Sequence, residues 1–209
     1  MQAYFPFIIE GITLGLGLAI LLGPIFVALT QTSVEYGARA GMTVGTGIWI
    51  SDILIVAITY IFINKISSII HDGEIQFWMG LAGGIVLIGL GASAMLKKVE
   101  ISYEKKSFNA KNYVGFWLKG FLVNTVNPFT FIFWIGVIST YVIGSRGNAK
   151  QVSIFLITIL LTIILTDTLK VFGAKYLKKK LKGDFIQWVI RAAGLILLIF
   201  GMVLIYRVS

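Results

Sequence analysis

Six long apolar stretches, separated by short polar connections, organise the chain. They run from about Phe5 to Thr30, Gly41 to Ile63, Phe77 to Leu96, Phe116 to Tyr141, Val152 to Phe172 and Phe185 to Tyr206. Each is long enough to cross a bilayer, which takes about 20 residues. None alternates with the two-residue period of a barrel strand. In lipid, every backbone polar group must be satisfied within its own segment or in a closed barrel. The pattern predicts an all-α integral membrane protein with six transmembrane helices.

Two of these stretches are interrupted. Asn124-Thr125-Val126-Asn127-Pro128 lies inside the fourth, and Gly23-Pro24 inside the first. A proline in a helix interior removes a backbone hydrogen bond and clashes with the carbonyl four residues earlier, at a cost of about 3 kcal/mol. Asn is a favoured N-cap and Pro a favoured first helical residue, so Asn127-Pro128 reads as a helix start. Gly23-Pro24 is a weaker form of the same signal. Spans one and four are therefore predicted to be broken at Pro. The free N–H groups and positive dipole end of each second half would suit an anionic group. The carbonyls freed near Ile20 and Asn124 could accept from an ammonium. Gly23, Pro24, Asn124, Asn127 and Pro128 are thus candidate substrate-binding residues. The alternative is a plain proline kink patched by Asn and Thr side chains.

The two halves resemble each other. Residues Gly73–Lys97 lie over Gly183–Arg207 at a constant offset of 110, which matches Trp78 to Trp188, Gly84 to Gly194 and Gly91 to Gly201. Upstream, Ser51-Asp52-Ile53-Leu54 resembles Thr166-Asp167-Thr168-Leu169, and Gly23-Pro24 resembles Asn127-Pro128. Each half then holds three spans, so the second enters the membrane from the opposite side. Inverted repeats of this kind hold a substrate at their interface near the midplane, between discontinuous helices. The expected division is a first repeat over 1–96, a cytoplasmic linker over 97–111 and a second, inverted repeat over 112–209. The repeat places Pro24 about 18 Å into its span, with Met1–Ile9 as an interfacial lead-in and Glu10 near the outer headgroups.

Composition and charge sharpen the picture. Charged residues make up 13% of the 209, and mean hydropathy is +0.91; a soluble domain carries about 25% charged residues. Net charge is +9, but the positives sit in connections. They report topology and anionic headgroups, not nucleic acid. Eleven Lys and Arg follow the first, third and fifth stretches, against Lys65, Arg146, Lys150 and Arg207 on the other side. The positive-inside rule puts both termini outside a plasma membrane crossed several times. Lys119, Lys170 and Arg191 lie near cytoplasmic span ends and can snorkel to the interface. The run from Lys178 to Lys182 reads as a topology signal. Met1 to Phe26 lacks the basic region of a secretory signal and is expected in the mature protein.

There is no cysteine, which excludes disulfides and thiolate chemistry. The single histidine, His71, sits beside Asp72 in a polar connection and reads as a solvated loop residue. With no His in a span and no Cys, no catalytic set is visible, and no cofactor or resident metal is expected. Asp52 lies near the centre of span two. A carboxylate there is costly and should face the bundle interior or a water-filled cavity. Asp52, and with it Asp167, are candidates for binding a coupling proton or cation. Lys170 is three residues from Asp167 on the same face, so a structural ion pair is the competing reading. The glycines of spans two and three, Gly41, Gly45 and Gly47 and then Gly80, Gly83, Gly84, Gly89 and Gly91, read as close helix contacts. Trp49, Trp78, Trp117, Trp134 and Trp188 read as interface anchors, with Trp134 also able to wall a pocket.

Leu22-Gly23-Pro24, Gly37-Ala38-Arg39-Ala40-Gly41, Ser51-Asp52 and Asn124 through Asn127-Pro128 together resemble the LysE family of amino-acid exporters. The resemblance covers nearly the whole chain, and chain length and span count fit it. It implies a six-span exporter of amino acids or similar small solutes that uses a proton or ion gradient. The chain has Ile25 where many members have Asn after the first proline, and Phe129 where many have Lys after the second. The leading expectation is export of an amino acid or related zwitterionic or cationic solute. An inorganic-cation or metal exporter of the same fold and a non-transporting membrane scaffold are the alternatives. The expected partners are the solute and membrane lipid, and self-association stays open.

Overall fold

A computed structural model describes residues 4–20, 23–70, 73–96, 112–143, 146–180 and 183–208. The expected linker over 97–111, His71-Asp72, Met1–Ala3, Leu22 and Lys182 lie outside the described residues. Among those described there is no strand. The helices are α1 (Phe5–Ile20), α2 (Pro24–Tyr36), α3 (Ala38–Ile70), α4 (Gly73–Leu96), α5 (Tyr113–Thr125), α6 (Pro128–Ile138), α7 (Ala149–Lys180) and α8 (Gly183–Val208). A π-helical turn, Ser139–Ile143, extends α6.

The breaks fall where the prolines predict them. The axis bends by 69° between Phe5–Ala19 and Pro24–Tyr36, and by 61° between Tyr113–Thr125 and Phe129–Val142. Two further segments are long and apolar enough to cross a membrane, Ala38–Ile63 in α3 and Ala149–Ala174 in α7. Counting each bent pair as one span gives four. In α4 and α8 the apolar segments are shorter, Gly80–Leu96 and Gly194–Arg207. The chain is thus an all-helical protein with between two and four candidate spans among the described residues. The expected interfacial lead-in is itself helical from Phe5 and continuous with α1.

The chain forms two compact units. The first comprises the described residues of 1–63 and 102–180, the second those of 64–101 and 181–209. In the first unit one apolar cluster joins Ile55 and Ile63 of α3, Trp134 and Ile138 of α6, and Phe155 and Ile159 of α7. Another joins Leu29 of α2, Val44 and Ile48 of α3 and Val171 of α7. Lipid is as apolar as these side chains, so close packing and interhelical hydrogen bonds hold such helices together.

Glycine sets the approach. Gly37 has φ of 92° and joins α2 to α3 in one residue, a conformation that side chains with a Cβ rarely adopt. A Cβ at Gly47 of α3 would strike the Trp117 carbonyl of α5, and one at Gly120 of α5 would strike the Val44 carbonyl of α3. That contact brings the two backbones together just before Asn124. In α1, a Cβ at Gly15 would come within 2.6 Å of Thr162 of α7.

The second unit pairs α4 with α8. A Cβ at Gly84 would lie 2.9 Å from the Gly201 carbonyl, and one at Gly91 would lie 2.6 Å from the Gly194 carbonyl. The contacts are mutual, since Cβ atoms at Gly201 and Gly194 would meet Gly84 and Gly91 in turn. Packing is therefore the role of Gly41, Gly47, Gly84 and Gly91. Gly89, expected in the same role, meets nothing within 4 Å.

Candidate functional site

The helix break at Pro128 delivers a polar cluster to the middle of α3. Asn127 has extended backbone (φ −78°, ψ 109°), and its side chain accepts from Phe129 N at 3.1 Å, as expected of an N-cap. Its carbonyl accepts from Thr130 N. The bend leaves Thr130 of α6 within reach of α5, and its hydroxyl donates to Asn124 Oδ1 at 3.0 Å. Asn124 Nδ2 then donates to Asp52 Oδ1 at 2.9 Å and to the Ile48 carbonyl at 3.2 Å. Trp134, one helical turn beyond Thr130 on the same face, donates its indole N–H to the same Asp52 oxygen at 3.0 Å. Beside this, Ser51 donates to Thr125 Oγ1 at 2.8 Å, because Thr125 spends its own proton on the Phe121 carbonyl.

Asp52, Asn124, Thr130 and Trp134 are all buried. Asp52 Oδ1 takes two neutral donors. Oδ2 receives no hydrogen bond from any described residue, and it is not among fully sealed atoms left without a partner. A buried carboxylate held by neutral groups, with one oxygen open, is suited to a proton, a cation or an ammonium.

Asp167 is handled differently. Lys170 pairs with its Oδ1 at 2.9 Å, so the ion pair that competed with a functional reading is present. Trp49, one turn before Asp52 on α3, donates to Asp167 Oδ2 at 3.2 Å.

Several expectations need correction. Trp134 and Trp49 are not simple interface anchors, since each holds a carboxylate through its indole N–H. Trp134 is 1% exposed. The Asn124 carbonyl is not free for an ammonium, because Asn127 N donates to it at 3.1 Å. The N–H groups that open α6 are taken up by Asn127. Lys119 does not simply snorkel: its amine reaches Thr32 Oγ1 at 3.0 Å. Gly23 and Pro24 do not hydrogen-bond into the Asp52 cluster among the described residues. The α2 start has no side-chain cap, and a Cβ at Gly23 would meet nothing within 4 Å. Ile25 packs in the α2–α3–α7 cluster, and Phe129 stacks on Phe133, so both residues that depart from the family pattern serve packing.

Thr130 was not singled out by sequence, and Trp134 only as an interface anchor able to wall a pocket. Their signal was available: two polar-capable side chains four apart in the otherwise oily half-helix that follows Pro128.

The LysE type translocator family matches residues 16–208, nearly the full length. The chain belongs to the LysE type translocator family. It is also 25% identical over 199 residues to a Bacillus subtilis (strain 168) protein described as "Putative amino acid efflux protein YcgF", covering 94% of this chain and 93% of that one. No solved structure matches the translocator. Family membership makes it a membrane transporter of small solutes. Among its described residues no three of His, Cys, Asp or Glu gather in a way that could hold a metal ion.

Proposed function

We propose that this translocator exports an amino acid, or a related small zwitterionic or cationic solute, using a proton or ion gradient. One observation carries the reading: Asp52 is buried in α3 against the α5–α6 helix break, held by two neutral donors, with Oδ2 left for a ligand. In this scheme Asp52 receives either the solute ammonium or the coupling proton. Asn124 holds it in place, and Thr130 holds Asn124. The uncapped start of α2 at Gly23-Pro24 offers N–H groups to a carboxylate, whereas Asn127 already caps the start at Pro128. Asp167 is a second coupling candidate, reached through Trp49 and restrained by Lys170.

We read the chain as two inverted three-helix repeats, 1–96 and 112–209, joined by the 97–111 linker and rocking about this site. Two observations support that reading. Gly84 packs on Gly201 and Gly91 on Gly194, and an offset of 110 exchanges the two pairs, as a two-fold axis between α4 and α8 requires. The repeat-equivalent carboxylates Asp52 and Asp167 each accept from a tryptophan indole. The positive-inside rule supports both termini outside, in a plasma membrane. The efflux description of the Bacillus relative supports an amino-acid solute.

Counterflow in proteoliposomes with a panel of labelled amino acids tests the function. Saturable uptake that changes with Asp52→Asn is the expected result. No saturable uptake of any amino acid in the panel would sink the proposal.

A further inference from the structure

A second set of chemistry-bearing residues lies in the first unit, at the end where α1 begins and α6 ends. A cavity of about 480 Å³ is lined there by Glu10 of α1, Tyr141 of the π-helical turn and Arg146. Tyr141 is buried and its hydroxyl donates to Glu10 Oε2. The Arg146 guanidinium lies over the Tyr141 ring, 6.0 Å from its centroid. Glu10 and Arg146 do not form an ion pair with each other. Glu10 Oε1 takes no hydrogen bond from a described residue. Tyr141 thus holds a carboxylate and a guanidinium apart, both facing one space.

We propose that this cavity binds an α-amino acid with an apolar side chain as its zwitterion. The solute ammonium meets Glu10, and its carboxylate meets Arg146, whose planar fork suits a bidentate grip. Ile9, Leu14 and Val137 line the rest of the cavity and take the apolar side chain. Thr13 and Thr140 spend their hydroxyl protons on the Ile9 and Gly136 carbonyls, so they offer the ammonium only acceptors. An inorganic anion would face Glu10 unpaired, and an inorganic cation would face Arg146. A molecule carrying both charges a short distance apart satisfies both walls. The site is separate from the Asp52 cluster. In the orientation proposed above it is the mouth through which exported solute leaves.

The absence of native cysteine allows a direct test. Thr140→Cys, purified in nanodiscs, is labelled with a methanethiosulfonate reagent, which forms a mixed disulfide and releases methanesulfinate, with and without L-leucine. Leucine should slow labelling saturably, and L-leucinamide and N-acetyl-L-leucine, each lacking one charge, should not at the same concentration. The protection should persist with Asp52→Asn, and Glu10→Gln or Arg146→Gln should raise the half-protecting concentration about tenfold or more. Both variants must keep the wild-type elution profile and tryptophan emission; Glu10→Asp and Arg146→Lys should retain more protection than the neutral replacements. Absence of protection by leucine, or equal protection by either derivative, overturns the proposal. So does protection unchanged in the Glu10→Gln, Arg146→Gln double variant. Protection without amino-acid counterflow would sink the export reading and leave this site standing; counterflow without protection would do the reverse.

Discussion

The Asn124–Asp52 contact ties α5 to α3, and its strength follows from the structure. Replacing Asn124 with Leu, of similar size, removes the donor to Asp52 and the Ile48 carbonyl, and the acceptor for Thr130. Thr130 stands in the first turn of α6 and can turn its hydroxyl to the Asn127 carbonyl three residues earlier, which its backbone N–H already meets. Ile48 O sits within α3 and keeps the ladder of its own helix. The principal loss is at Asp52, where an under-satisfied buried group costs about 1–3 kcal/mol. Hydrogen bonds between membrane helices measured by double-mutant cycles average about 0.6 kcal/mol and reach about 1.7. A bond to an ionised group is roughly twice a neutral one. We therefore expect Asn124→Leu to destabilise the protein by about 2 kcal/mol and the Asp52→Leu, Asn124→Leu cycle to give a coupling of about 1–1.5 kcal/mol. Equilibrium unfolding in mixed dodecyl maltoside and SDS micelles, followed by tryptophan fluorescence, reads all four proteins. Additivity within about 0.3 kcal/mol would refute the claim that this bond organises the site.

Three other outcomes follow. Gly47→Leu and Gly120→Leu should each lower the melting temperature sharply, because a Cβ alone already strikes the facing backbone, whereas Gly17→Ala, with nothing within 4 Å, should be neutral or stabilising; thermal unfolding in detergent compares them. Asn127→Ala should cost about 1 kcal/mol, with Asn127→Asp retaining most of it, in the same micellar unfolding assay. Gly91→Val should separate α4 from α8 and reduce stability more than Gly89→Ala, since only Gly91 meets a facing carbonyl; pulse proteolysis of the two variants reads the difference.

Much of the architecture was legible because lipid imposes simple rules. Apolar length gave the helices, and the two prolines placed both bends. Asn127-Pro128 announced a capped helix start, and the capping bond is there. The pairing of Gly84 and Gly91 with α8 followed the small-residue rule, but Gly89, in the same run, faces open space, since sequence does not say which side of a helix meets a neighbour. Asp52 was legible as costly and therefore meaningful, yet its partners were not. They come from positions 72 and 82 residues away, and the bend at Pro128 lets Thr130 reach Asn124 and Trp134 reach Asp52. Tryptophan was misread for a physical reason. Near a span end its amphipathic ring suits the interface, but its N–H serves a buried carboxylate equally well, and Trp134 and Trp49 take the second role. Glu10 lies 131 residues from Tyr141, so the cavity these two share with Arg146 had no sequence signature.

Gradient-driven accumulation in proteoliposomes, compared with exchange at equal pH on both sides, tests the central claim most directly. With a transported amino acid, the wild-type protein should both exchange and concentrate the solute when a proton or ion gradient is imposed. Asp52→Asn should keep measurable exchange but fail to concentrate it. An Asp52→Asn protein that accumulates solute as steeply as wild type would contradict the assignment of coupling to the Asp52 cluster.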